Sequence, residues 1–122
     1  MHKAEPYATL LDNGTITYYD TTRYVILMSD PTLLVLASLA EGEKHGYAMM
    51  EDILRFAGVR LGPGTLYGAI TRLEERGWIR ALESGDRRRP YAITGAGKRH
   101  LEEQLATLEQ VVKTAMRRLR PA

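Results

Sequence analysis

Apolar positions recur at helical spacing in four stretches of the 122-residue chain, and the best punctuated is Gly62–Gly77. Leu66, Ile70 and Leu73 form one apolar stripe there. Pro63 suits a first helical position, where a missing N–H costs nothing, and Gly77 suits the residue past the end. The opposite face carries Thr65, Tyr67, Gly68, Thr71 and Arg72. Upstream, Asp30 can cap and Pro31 can open a helix to about Ala40, with Gly42 stopping it. It is apolar nearly all round, as a core helix is. A second helix runs from about Gly46 to Ala57, ending at Gly58, with Tyr47, Met50, Ile53 and Leu54 expected on its inner face.

After Gly77 the period changes. Trp78–Glu83 is β-prone, Ser84-Gly85-Asp86 reads as a turn, and Arg87-Arg88-Arg89 leads into a second strand at Pro90–Ile93. Thr94 then reads as the N-cap of a long helix, about Gly95 to Leu119. Leu101, Leu105, Leu108, Val112, Ala115 and Leu119 follow a heptad seam, which Val111 and Met116 widen. At ~1.5 Å per residue this helix is about 37 Å long, more than a small domain covers alone. A second copy of the chain is the expected cover, with one helix folded back on its own domain as the alternative.

The first thirty residues are less legible. Ala8–Leu11 and Thr15–Tyr19 flank Asp12-Asn13-Gly14, a tight-turn signal, so a small hairpin is expected. Thr21–Leu27 is also β-prone. A second reading starts the native chain at Met28. The divisions expected are therefore an extension (1–30), a DNA-binding domain (31–93) and a dimerisation helix (94–122). The fold class is mainly α with a small β-hairpin, a winged helix-turn-helix with a long last helix.

Charge sharpens this picture. The net charge is only +2, yet residues 60–99 hold nine Lys/Arg against four Asp/Glu, while residues 1–59 hold four against eight. A basic middle third beside a helix-turn-helix is the footprint of a polyanion-binding face. The expected contacts are Gly64, Thr65, Tyr67, Thr71 and Arg72 on the helix, with Arg87, Arg88 and Arg89 gripping flanking phosphates. His45 is expected to cap or pack. There is no cysteine, no His/Asp/Glu cluster with metal spacing and no nucleophile motif, so neither a cofactor nor an enzyme is expected. The longest apolar run, Leu33–Ala40, is too short to span a bilayer. No leader pattern is apparent, and a cytoplasmic location follows. A protein–protein winged-helix module and a non-specific architectural DNA binder are the competing classes.

At His45-Gly46-Tyr47, Gly62-Pro63-Gly64-Thr65-Leu66-Tyr67, Ile70, Arg72-Leu73-Glu74 and Gly77 the chain resembles the PadR family of bacterial transcriptional regulators. The arginine wing with Tyr91, and Thr94 with Gly97, extend the likeness over residues 31 to about 119. The short length and single C-terminal helix look like the smaller subgroup. The resemblance implies a homodimeric repressor on a palindromic operator in double-stranded DNA, often released by a small aromatic or lipophilic effector. Three positions depart from the pattern. Gly68 stands where the family usually has proline, which is expected to loosen the helix start. Gly95 replaces a commonly acidic residue, which weakens the cap. The last helix carries no Phe, Tyr or Trp to stack a flat ligand at the dimer seam.

Overall fold

The computed structural model describes residues 30–85 and 87–121, with the backbone of two N-terminal strands. Strands β1 (Tyr7–Leu10) and β2 (Ile16–Tyr19) pair antiparallel, with Tyr7 opposite Tyr19 and Leu10 opposite Ile16. This is the hairpin expected from the sequence. Its turn at Asp12–Gly14, the β-prone Thr21–Leu27, the alternative start at Met28 and Asp86 lie outside the described residues.

Ser29–Glu103 forms a compact unit. Helix α1 (Pro31–Leu39) starts where Asp30 accepts from the Thr32 amide at 2.7 Å and from its hydroxyl at 2.6 Å. Leu34, Val35, Leu36 and Leu39 are buried, so α1 is the core helix that its all-round apolarity predicts. Ser38 is the buried polar residue among those described, and its hydroxyl donates to Asp52 at 2.7 Å. Lys44 donates to the Ser38 carbonyl and pairs with Glu41 at 2.7 Å. These bonds tie α1 to helix α2 (Gly46–Ala57) across the turn between them.

Helix α2 ends as expected at Gly58, whose φ of +70° is the left-handed conformation that glycine adopts without strain. Its inner face differs from expectation. Of the expected residues Ile53 is buried, Met50 packs against the core and Leu54 is half-buried, while Gly46 and Met49 are buried in addition and Tyr47 is not. Tyr47 is 61% exposed and is no core ring. Gly46 is buried against Tyr67, a contact that apolarity counts do not register.

Helix α3 (Pro63–Glu75) buries Leu66, Ala69, Ile70 and Leu73. It runs without interruption through Gly68, so the glycine does not break the helix start. Gly77, at φ +75°, ends it. The wing follows as β4 (Ile79–Ala81) and β5 (Pro90–Ile93), with Ile79 opposite Ile93 and Ala81 opposite Tyr91. A third strand joins them: β3 (Lys44–His45) pairs with the far edge of β5, Lys44 opposite Tyr91. A two-residue strand is too short to leave a periodic signal, and the sequence reading had no sign of it. The sheet makes the wing continuous with the start of α2.

Helix α4 (Gly95–Leu119) begins at a junction built on Thr94. The Thr94 hydroxyl donates to the Gly77 carbonyl at 2.7 Å and accepts from the Gly97 amide at 3.0 Å. Its own amide donates to Trp78 O at 3.0 Å. Thr94 therefore caps α4 while fastening it to the end of α3, and Gly95 does not prevent it. Beside it the Trp78 and His100 rings stack at 3.6 Å.

Gly97 is buried, and a side-chain carbon there would run into the Trp78 carbonyl and stand 2.9 Å from Ile93 Cγ1. Alanine inside a helix ordinarily stabilises by roughly 0.5–1 kcal/mol over glycine. Here overpacking against backbone reverses the sign, and Gly97→Ala should lose about 1–3 kcal/mol in chemical denaturation. A variant as stable as the parent would contradict the close approach.

Candidate nucleic-acid interface

Burial of Leu66, Ala69, Ile70 and Leu73 turns the opposite side of α3 to solvent, where Gly64, Thr65, Tyr67, Thr71 and Arg72 are all exposed. At the first turn Gly62 supplies no side-chain cap, and the first intrahelical bond of this turn is Leu66 N–H to Gly62 O. The Gly64 and Thr65 amides therefore point forward with no helical acceptor. That end of the helix also carries partial positive charge. The Thr71 hydroxyl donates to the Tyr67 carbonyl at 2.9 Å, leaving its methyl and oxygen lone pair for outside contact. A carbon added at Gly68 would stand 3.6 Å from the Arg72 guanidinium, so the missing side chain leaves that group room along the helix.

Tyr67 leaves this face toward α2. Its hydroxyl lies against Gly46, where any side-chain carbon would collide with it. The two motifs His45-Gly46-Tyr47 and Thr65-Leu66-Tyr67 are thus halves of one contact. His45 caps α2, its Nδ1 accepting from the Ala48 amide at 3.4 Å, and its Nε2 stands 3.4 Å from Arg88. The capping or packing role expected of His45 is the one it has.

Across from these residues Arg87, Arg88 and Arg89 are all exposed, in the segment that enters β5. Together the arginines, the start of α2 and Tyr67 enclose a cleft of about 680 Å³, floored by Tyr91. Burial first, and the Glu74 carboxylate second, push the Tyr91 phenol above its ordinary value, with Arg89 opposing, so at neutral pH it is a protonated donor. The structure brings Tyr67 and the three arginines to one cleft. Gly64, Thr65, Thr71 and Arg72 lie along α3 outside its lining. Tyr47, His45 and Tyr91 complete the cleft, and sequence reasoning had given none of them a place at the interface. The signal available was their place in the His-Gly-Tyr and wing motifs.

Along α4 the seam residues divide. Leu101 is buried in the compact unit and Leu108 is half-buried. Leu105, Val112, Ala115 and Leu119 are exposed, as are Val111 and Met116. Among the described residues no helix is long and apolar enough to cross a membrane, and no group of His, Asp and Glu could hold a metal ion.

Three helices, a three-stranded sheet and a cationic wing beside an outward helix define a winged-helix protein. The chain belongs to the Transcriptional regulator PadR-like family, whose model matches residues 35–103. It is 33% identical over 87 residues to a transcriptional regulator of Mycobacterium tuberculosis, covering 69% of this chain and 80% of that protein. It is 43% identical over 83 residues to an uncharacterized 37.1 kDa protein in transposon TN4556 of Streptomyces fradiae. That match covers 68% of this chain, which spans 24% of the length of the transposon relative. Its structure is similar to that of a PadR family transcription regulator from Clostridium difficile, with a TM-score of 0.65 and 26% identity over 73% of this chain and 97% of that one. Proteins of this family are DNA-binding transcriptional regulators and not enzymes.

If Gly46 is glycine because of Tyr67, removing the ring should relieve the cost of a side chain. Gly46→Ala should destabilise by about 0.5–1.5 kcal/mol, the cost of displacing the Tyr67 ring, and adding Tyr67→Ala should recover part of that loss. Simple additivity of the two changes in thermal unfolding would contradict the contact.

Proposed function

We propose that this regulator binds a palindromic operator as a homodimer and represses by occupying it. The observation that carries the proposal is the placement of Tyr67, at the edge of the outward α3 face, and three exposed wing arginines around one cleft. In this reading residues 31–93 hold the DNA. Helix α3 enters the major groove, with Gly64 and Thr65 amides on phosphate and Tyr67, Thr71 and Arg72 on sugar-phosphate and base edges. Arg87, Arg88 and Arg89 neutralise flanking phosphates.

Residues 94–122 carry the partner contact. Leu119 is 73% exposed and Leu105 47% exposed, on a seam that continues through Leu108, Val112 and Ala115 from the buried Leu101. An apolar heptad stripe left in water is the surface that a second copy covers. Two copies would place their α3 helices on half-sites about one helical turn apart. An effector that loosens the dimer would meet aliphatic side chains on α4, which favours a lipophilic ligand over a flat aromatic one.

Selection of bound duplexes from a random pool tests the reading. Two-fold symmetric sites are expected, and Leu105→Asp with Val112→Asp should sediment as a monomer and enrich no symmetric site. Asymmetric or absent enrichment by the parent would contradict the dimeric repressor. Replacing all three wing arginines by alanine should weaken binding to every sequence and flatten the log–log salt slope by about 2–3. Arg72→Ala should instead shift base preference. An unchanged salt slope in the wing variant would remove the arginines from the interface.

A further inference from the structure

The floor of the cleft holds a group that the fold itself does not need. Tyr91 stands on the central strand β5, between Lys44 of β3 and Ala81 of β4. Its ring belongs to the hydrophobic core, and only 8% of the residue is exposed, yet it lines the cleft. Its hydroxyl makes no hydrogen bond to any described residue. Phenylalanine would fill the same space in the core, so the hydroxyl is the part of the side chain that serves the cleft. Facing an open cleft, the hydroxyl is placed to donate to an acceptor that enters it.

The surroundings say what kind of acceptor. Arg87 and Arg89 bring cationic charge to the cleft wall. The Gly46 and Tyr47 amides, in the first turn of α2, precede its intrahelical bonds, and the next amide, of Ala48, is already held by His45. The arginines make the lining predominantly cationic, outweighing the single Glu74 carboxylate that acts on the Tyr91 phenol, so the ligand is an anion with oxygen acceptors. The position of the walls selects its source. One wall is Tyr67 of α3 and the other is the wing. A DNA strand separating two adjacent grooves must pass between a helix lying in one and a wing reaching the other.

Resting on the DNA-binding reading above, we infer that this cleft seats one backbone phosphate of the bound duplex, with the Tyr91 hydroxyl donating to a non-bridging oxygen and the wing arginines neutralising its charge. The contact is blind to base identity. It sets how deeply α3 can enter its groove, because it fixes the strand relative to both α3 and the wing. Inorganic phosphate offers the same oxygen chemistry and is the control for a free anion.

Tyr91→Phe removes one oxygen and leaves the ring in the core. In the full-length protein, with a duplex recovered by selection and binding read by fluorescence anisotropy, Tyr91→Phe should bind about tenfold more weakly. Its base preference should be unchanged and its Tm no lower than the parent's. A set of duplexes with one phosphate at a time replaced by neutral methylphosphonate should locate the partner. One position per half-site should cost the parent a similar factor and cost Tyr91→Phe little more. Equal affinity of parent and variant overturns the inference, as does a set in which no position distinguishes the two proteins. Thermal protection of the parent by millimolar inorganic phosphate, lost in Tyr91→Phe while DNA affinity is unchanged, would give the cleft to a free anion and also overturns it. If the parent shows no salt-dependent affinity for any duplex, the DNA-binding reading itself fails, and the inference falls with it.

Discussion

Burial of the inner stripe of α3 is the constraint from which the rest follows. Leu66, Ala69, Ile70 and Leu73 are each no more than 2% exposed, packed with α1 and the sheet. A helix anchored at four consecutive core positions has one rotation about its axis, and that rotation decides which residues face outward. Its ends are held by separate devices. At the start Tyr67 lies on Gly46 and joins α3 to α2. At the finish Gly77 turns the chain and gives its carbonyl to Thr94. The same threonine caps α4, so the first turn of the last helix is fastened to the end of the outward helix.

That coupling gives the architecture its logic. Strand β5 lies between β4 and β3, and β3 runs directly into the cap of α2. A force on the wing arginines therefore reaches α2 through backbone hydrogen bonds rather than through side-chain contacts alone. The start of α2, Tyr67 of α3 and Tyr91 of β5 bound the cleft on one side, and the exposed arginines of the wing on the other.

Much of this was legible in the chain because glycine, proline and capping residues punctuate it. Pro31, Gly46, Gly58, Pro63, Gly77 and Thr94 mark helix boundaries within a residue of those observed. Periodicity was less reliable where a contact depends on the absence of a side chain. Gly46 counts as neutral in any apolar pattern, yet it is buried against Tyr67, while the neighbouring Tyr47 faces solvent. Strand β3 is defined wholly by its partner and has no local signature. The exposed face of α3 and the wing were readable from residue type and spacing. The cleft was not, since His45, Tyr67 and Tyr91 are distant in sequence and meet only through the β3–β5 pairing and the packing of Tyr67 on Gly46. The Trp78–His100 stack is hidden for the same reason.

The central claim is that one face, made of the first turns of α2 and α3 together with the wing, meets DNA. Amide hydrogen exchange on the full-length protein, with and without a saturating duplex, tests it most directly. Slower exchange is expected in peptides covering 45–48, 62–72 and 82–91, with little change in the interior of α1. Protection confined to α4, or none in the three segments while the duplex is bound, would contradict the account.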